Sequence, residues 1–532
     1  MSPQQRPPFT MDRRQFLQRG TALGLALPAG ALLSGCGGSG SEQQPQSDTL
    51  RVRLVGDITN LDPAFFADTS VDEPVMSCVY EGLVTYKPGA SDFEVVNQLA
   101  ESLEPSADGL SYDFVLKQGI AFHGDYGELT ADDVKFSYER MAGLTKPKLD
   151  SPYGGDWEAL KEVRVKDKYS GTIILKEPFA ALMHSTLPVT SGYVLSRKAV
   201  EELGDKFATK PIGTGPYEFV KWTPKQSVRL TRFAGYKTGF LEPEWKEILL
   251  VPIPEDNAAD IALETDAVDF GQIGLASVER FGGNDSFGTG KRPTLGYVSI
   301  GMNVLSPKLS DINVRRAIRA ALDVPSMLEA AFSGTYVRAN AVIPEEMGLG
   351  YWPEAPVYER DVEQAKGFMS QAGVSSLELS YSYTEEPGAN EVAEITQANL
   401  AEIGIKVKLD KTDEGTFYEL GKKLRDRELV WVNYETQPDP SFSMVWFTCD
   451  QFDQWNWTYW CSERFDELQA EGLTTQDEAR RQAIYLEMQE VWDENVNSVW
   501  LAFPTHYYAH KKGLKPAVSP HGRILPQAFT SA

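Results

Sequence analysis

LAESLEPSADGLSYDFVLKQGIAFHGDYGELTADDVKFSYERM, residues Leu99 to Met141, is the stretch whose reading decides the fold. Ser106 to Gly109 supplies turn residues, and Tyr112, Phe114 and Leu116 fall on one face of an extended segment, so the first half reads as a β-hairpin. A loop and a helix follow. Thr130 with Asp133 three residues on forms a capping box, which gives that aspartate a structural task rather than a catalytic one.

Outward from this stretch, strands and helices keep alternating. Leu50 to Val55 interleaves arginine with apolar residues as a strand does, Asn60-Leu61-Asp62-Pro63 reads as a turn, and Asp68 to Val84 reads as a helix reaching YEGLV. Further helices are expected at Val314–Leu322, Val362–Gln371 and Glu391–Ile403. Short strands are expected at Val228–Thr231, Ile248–Val251, Val298–Gly301, Val407–Leu409, Val499–Phe503 and Tyr507–Ala509. Ile484, Met488, Val491 and Trp492 share one helical stripe and should face the core. The alternation implies an α/β architecture.

A second conspicuous segment is Trp431 to Leu468, which holds five of the eleven tryptophans, two of the four cysteines and a Pro-Asp-Pro corner. Such density fits a core corner of mutually packed aromatics or an aromatic wall around a solute. Both readings stand on the sequence.

At 532 residues the chain exceeds one core and implies two or three domains. Its 42% apolar and 11% aromatic content is that of a folded protein. Residues 1–35 hold four arginines and one aspartate, so the remainder carries 47 basic against 75 acidic side chains, a formal charge of −28. That balance speaks against nucleic acid and suits salt solubility or a cationic partner.

The opening residues read as an address. Arg13-Arg14 precede an uncharged, apolar-leaning run from Gly20 to Leu33, followed by Leu33-Ser34-Gly35-Cys36. The arrangement resembles a twin-arginine export signal, with Asp12 and Gln18 departing from its commonest form, joined to a bacterial lipobox. General or twin-arginine export both fit. The resemblance implies a signal peptide over 1–35, diacylglycerol on Cys36 and a tether over 36–48, hence a lipid-anchored protein at the outer face of the cytoplasmic membrane or in the cell envelope. Cys78, Cys449 and Cys461 remain. Cys449 and Cys461 pair by proximity, and Cys78, among apolar neighbours, is expected to be buried and inert.

In their order along the chain, several segments resemble the family of extracytoplasmic solute-binding proteins that serve dipeptide, oligopeptide and nickel ABC importers, family 5. The carriers are NLDP at Asn60, YEGLV at Tyr80, the Leu99–Met141 block, PIGTGPYEF at Pro211, MNVLSPKLSDINVRRAIRAALD at Met302, the helix ending in AGV at Val374 and NLAEIGIKVKL at Asn399. The resemblance implies a two-lobed, class II periplasmic-binding-protein fold with an extra inserted domain. Its first lobe is expected from residues 49–80, 208–300 and 504–532, the inserted domain from 81–207, and the second lobe from 301–503. Crossings near Gly301–Val304 and Phe503 would form a hinge that closes the lobes about a solute. It further implies a disulfide between Cys449 and Cys461, with the tryptophans around a clamped loop.

Nothing points to catalysis. The five histidines lack metal spacing, and no nucleophile elbow or P-loop occurs. Gly213-Thr214-Gly215 is a tight turn where backbone closely approaches something. No catalytic residue, cofactor or metal is expected. The rival classes are an exported carbohydrate-active enzyme, with paired carboxylates and sugar-stacking tryptophans, and a non-transport lipoprotein on the same fold.

In the dipeptide branch of the family an aspartate before the DP corner meets the ligand's ammonium and a loop arginine its carboxylate. The matching positions here are Thr436, beside Glu435, and Glu385 or Glu386, while a tryptophan of that branch falls near Gly415. These departures point away from a free dipeptide; Glu385, Glu386 and Glu435 either favour basic peptides or another amine-bearing solute or are solvated loop carboxylates. The expected ligand-binding residues are Phe65, Phe66, Asp68, Thr214, Glu385, Glu386, Tyr434, Glu435, Thr436 and Asp439, with main-chain hydrogen bonds from Gly213, Thr214 and the loop after Asp62. Expected partners are that solute, an ABC permease and, through Cys36, the membrane. The protein is expected to be a monomer.

Overall fold

The computed structural model describes residues 48–532 except 68, 91, 414 and 418–424. The export signal, Cys36 and the ligand candidate Asp68 therefore lie outside the described residues.

The hairpin read in Leu99–Met141 is present. Ala100–Pro105 pairs antiparallel with Ser111–Leu116, closed by Ser106 N–H donating to Ser111 O at 2.8 Å. Tyr112, Phe114 and Leu116 are buried as the alternation requires. Thr130 caps the helix Ala131–Met141, its hydroxyl donating to Asp133 at 2.8 Å. The hairpin is half of a four-stranded antiparallel sheet completed by Ser170–Leu175 and Leu160–Asp167. Tyr138 stacks on Trp157 at 4.3 Å in the core beneath that helix.

Two larger sheets flank this domain. The seven-stranded sheet runs, in spatial order, through Phe287–Pro293, Thr505–Lys511, Phe270–Ile273, Thr49–Leu54, Glu247–Pro252, Ser227–Arg232 and Tyr217–Thr223. Leu50, Val52 and Leu54 point into its core. Arg51 and Arg53, on the opposite face, are tied down: Arg51 pairs with Asp269 at 2.6 Å, and Arg53 donates to the carbonyls of Ile253 and Pro254 at 2.8 and 3.0 Å. The six-stranded sheet runs through Val337–Arg338, Ser498–Phe503, Tyr297–Met302, Leu429–Tyr434, Leu377–Thr384 and Ile405–Thr412. Ile484, Met488 and Trp492 of the helix Glu478–Asn495 lie buried in its core, with Val491 packed alongside.

The chain passes between the large sheets twice, at Thr294–Gly296 and at Pro504. Thr294 N–H donates to Pro504 O at 2.8 Å, so the two links lie side by side. This corrects the crossing expected at Gly301–Val304. Tyr297–Met302 is buried at every position and pairs with Leu429–Tyr434 on one side and Ser498–Phe503 on the other. A strand apolar on both faces gives no pattern that says which sheet holds it. At the other border, Leu195, Ala199 and Phe207 pack into the core of the seven-stranded sheet, so that unit begins before residue 208. The helix expected over Asp68–Val84 is shorter, Glu73–Val79. Pro74 stands in its first turn, and Val84 already begins a strand.

The Gly213-Thr214-Gly215 turn does approach backbone closely, and the backbone is the chain's own. A Cβ on Gly213 would meet Val79 O at 2.0 Å, and one on Gly215 would meet Cys78 O at 2.6 Å. His123 holds the turn from outside, its Nε2 donating to Gly215 O at 2.9 Å. The turn therefore seats the end of the helix Glu73–Val79 and is not open to a ligand.

Candidate functional site

A cavity of ≈ 540 Å³ opens where the three sheets' units meet. The seven-stranded unit contributes Phe66, Thr69, Glu73, His521 and Arg523. The four-stranded unit contributes Tyr153, Asp156, Thr190 and Ser191, and the six-stranded unit Glu435, Thr436, Phe442, Trp446 and Trp455. Its volume falls in the range of small-solute sites.

Two aromatic pairs line the cavity. Phe66 lies flat on Tyr153, with ring centroids 4.4 Å apart and planes 4° from parallel. The Tyr153 hydroxyl donates to Phe66 O at 2.8 Å, which fixes the pair. From the six-stranded unit, Trp446 meets Trp455 edge-on at 5.5 Å. Tyr434 supports them from beneath, its hydroxyl donating to Trp455 O at 2.8 Å. Rigid aromatic faces offer large contact area with little side-chain entropy to lose.

Charge is concentrated around Arg523. Its Nη2 donates to Glu435 at 3.1 Å across the units, its Nε stands 3.5 Å from Glu73, and Nη1 donates to the Thr69 hydroxyl. Burial pushes Glu73 above the usual carboxylate range, Arg523 opposing and Glu435 adding. Burial acts upward on Glu435 too, but Arg523, His506 and the hydrogen bond from Arg523 outweigh it and hold that carboxyl below its ordinary value. The side chain keeps 45% of its surface accessible. His521 is packed against Tyr86 and Phe93, and burial with the Arg523 charge keeps it neutral. Asp156 accepts from the Ser191 hydroxyl, while burial lifts it to about 6.

The structure separates the expected ligand residues. Phe66, Glu435 and Thr436 line the cavity, Thr436 exchanging a 3.2 Å hydrogen bond with Ser443. Tyr434 lies under it. Thr214 is buried and donates to Glu81 at 2.9 Å, away from the cavity. Asp439 is also buried: both its oxygens lie 2.8 Å from Nη2 of Arg481, and it caps the short helix Pro440–Met444 through Ser441. Glu386 accepts from the Trp431 indole at 3.0 Å and the Asn433 amide at 2.7 Å, and neither it nor the exposed Glu385 lines the cavity. Phe65 opens onto a different groove, beside Asn60 and Arg140. The loop after Asp62 is likewise committed, because Arg140 grips that carboxylate at 3.0 and 2.5 Å.

Sequence reasoning missed Arg523, His521, Glu73, Tyr153 and Asp156. The turn residues around HGR in the tail were the available sign, since a charged residue held by a tight turn is suited to a pocket rim. The tryptophans answer both readings of their segment. Trp446 and Trp455 line the cavity, whereas Trp431, Trp457 and Trp460 are core. Cys449 and Cys461 form a disulfide around them, and Cys78 is buried and reduced.

Comparison with known proteins agrees with this architecture. The model for bacterial extracellular solute-binding proteins, family 5 (middle region), matches residues 94–461. The chain belongs to this family. Among family 5 relatives, the di/tripeptide-binding protein 2 of Pseudomonas aeruginosa (strain UCBPP-PA14) is 29% identical over 517 residues, covering 88% of this chain and 92% of the relative. The dipeptide-binding protein of Escherichia coli (strain K12) is 25% identical over 508 residues, covering 90% and 94%. The solved structure of HbpA2 from Haemophilus parasuis superposes with a TM-score of 0.79 at 25% identity, covering 91% of this chain and all of that one. The fold is accordingly the two-lobed class II fold of family 5 with its extra domain. No helix among the described residues is long and apolar enough to cross a membrane.

Proposed function

We propose that this family 5 protein captures a short peptide or peptide-like solute between its lobes and hands it to an ABC import permease. The observation that carries the reading is the cavity itself, walled by all three units and crossed by the Arg523–Glu435 bond. Arg523 is placed to meet a ligand carboxylate, and Glu73, Glu435 and Asp156 an ammonium. The names of the dipeptide- and di/tripeptide-binding relatives support the solute class. Of the three glutamates expected to favour amines, only Glu435 lines this cavity, and in this reading the Arg523 charge beside it offsets its preference for cations.

In this reading Phe66 and Tyr153 pack on one side of the solute, Trp446 and Trp455 on the other. The protein turns over nothing, works as a monomer after export, and is held to the membrane by lipid on Cys36. Binding at a hundredfold excess over Kd stabilises a folded protein by about 2.7 kcal/mol. A panel of di- to pentapeptides and free amines should therefore contain members that raise the melting temperature by several degrees. Mass spectrometry of the gently purified protein should release peptides on denaturation. An empty protein that no panel member stabilises would overturn the reading.

A further inference from the structure

Three carboxylates line the cavity, Glu73, Asp156 and Glu435, and among the described residues Arg523 is its one permanent cation. Glu73 and Glu435 both lie against that guanidinium, at 3.5 and 3.1 Å. Asp156 does not. Its Oδ2 accepts from the Ser191 hydroxyl, and its Oδ1 has no hydrogen-bond or ion-pair partner among the described residues. The residue keeps part of its surface accessible where it lines the cavity. A carboxylate drawn out of bulk water without a counter-charge is costly, and burial pushes Asp156 up to about 6. A bound cation offsets that cost.

The carboxylate is also pre-organised. Asp156 N–H donates to Tyr153 O at 3.1 Å at the turn Gly154–Trp157, and Asp156 O accepts from the Thr186 hydroxyl at 3.2 Å. Trp157, the next residue, donates its indole N–H to Ser191 O at 2.9 Å, which keeps Ser191 beside Asp156. Tyr153, stacked on Phe66, lines the cavity from the head of the same turn, and Trp446 and Trp455 line it from the second lobe. Aromatic faces attract organic cations, so these walls and the carboxylate favour the same chemistry. Burial and the Ser191 hydroxyl alone set the proton affinity of Asp156. Glu73, Glu435, Arg523 and the neutral His521 face the same cavity, while Glu158 and Glu177 stand exposed on a separate groove that has Asp156 in its wall.

We infer that Asp156 is a specificity-determining residue of the cavity: it reads a second cationic group on the solute, apart from the amine that Glu73 and Glu435 meet, so that peptides with a basic side chain are preferred. The inference rests on the peptide reading of the cavity and names the side-chain class within it.

The test is isothermal titration of the mature protein at pH 7.5 with Lys-Ala and Ala-Lys, each beside its norleucine counterpart. Norleucine keeps lysine's four-carbon stem without the charge. At least one lysine peptide should bind about ten- to a hundredfold more tightly than its counterpart, the yield of a hydrogen bond between charged groups. Asp156→Asn keeps an acceptor for Ser191, and in that variant the ratio should fall close to one. Because the ratio is taken within one protein, a general loss of affinity does not imitate the result. The wild-type protein gives a second reading with no substitution. Asp156 is ionised above about 6 and protonated below, so the lysine-to-norleucine ratio should drop about tenfold between pH 7.5 and pH 5. Equal affinities within each pair for the wild type, a ratio that survives Asp156→Asn, or a ratio independent of pH would overturn the role of Asp156 and leave peptide capture standing. Wild-type protein that binds none of the four peptides would overturn the peptide reading, and this inference with it.

Discussion

Asp439 separates ligand binding from stability, because its loop position made it a ligand candidate and the structure buries it against Arg481. Its side chain is 1% accessible and that of Arg481 is 4%, with both carboxylate oxygens 2.8 Å from Nη2. Arg481 further donates to Gly472 O at 3.0 Å, and Asp439 accepts from Ser441 N–H and its hydroxyl at 3.0 and 2.7 Å. Asp439→Ala leaves a guanidinium without its counter-charge in the interior and removes the helix cap. Breaking one partner of such a pair costs about 3–5 kcal/mol, and the cap, which uses the same carboxylate, adds at most about 1. For a unit near two hundred residues this lowers the melting midpoint by roughly 8–15 °C. Calorimetry, or urea unfolding followed by tryptophan fluorescence, reads the effect. Asp439→Leu combined with Arg481→Met should recover most of the loss, since the stranded charge is gone. A single-variant cost below about 1 kcal/mol would refute the reasoning. So would a large loss of solute affinity in variant protein still folded at the assay temperature.

Arg523→Met should weaken solute binding by about tenfold or more and also lower the melting midpoint, because its side chain is 12% accessible and pairs with the buried Glu73; titration of a peptide ligand below the variant's melting range checks the binding loss. Glu81 carries a carboxyl raised to about 7 by burial, against hydrogen bonds from Thr214, Tyr236 and Thr238. The folded state then holds a proton that the unfolded state loses above about 4.5, so Glu81 subtracts stability as pH rises from about 4.5 to about 7. Denaturant melts of Glu81→Gln against wild type should shift in the variant's favour by on the order of 2–3 kcal/mol across that window. The opposite trend would show that Glu81 is stabilised as an anion. Reducing Cys449–Cys461, which are 12 positions apart, should cost roughly 3 kcal/mol in the second lobe. Alkylation of native protein should leave Cys78 unlabelled until it is unfolded.

What the sequence made legible was local. The hairpin, the capping box at Thr130 and the stripe on Glu478–Asn495 each depend on residues a few positions apart, where periodicity and turn chemistry act directly. The family landmarks then carried the architecture. The site was harder to read, because its residues meet only after folding: Arg523 reaches Glu435 across 88 positions and Thr69 across 454. Acidic and turn residues near a ligand loop look alike whether they face a cavity or a buried partner. Thus Glu435 faces the cavity, while Asp439, four residues on, is closed over by Arg481. The turn at Gly213 shows the same ambiguity, since a demand for glycine reports close backbone approach without saying whose backbone arrives.

The order of strands also sets a schedule for the chain's maturation. Every strand of the six-stranded sheet lies between residues 297 and 503, so that lobe can condense from one continuous segment. The seven-stranded sheet places Thr505–Lys511 between Phe270–Ile273 and Phe287–Pro293, and its first strand is Thr49–Leu54. Loop closure over such separations is slow, and synthesis from the N-terminus supplies Thr505–Lys511 after every other strand of that sheet. The cavity that Arg523 lines is therefore complete only once the segment that follows Thr505–Lys511 has docked.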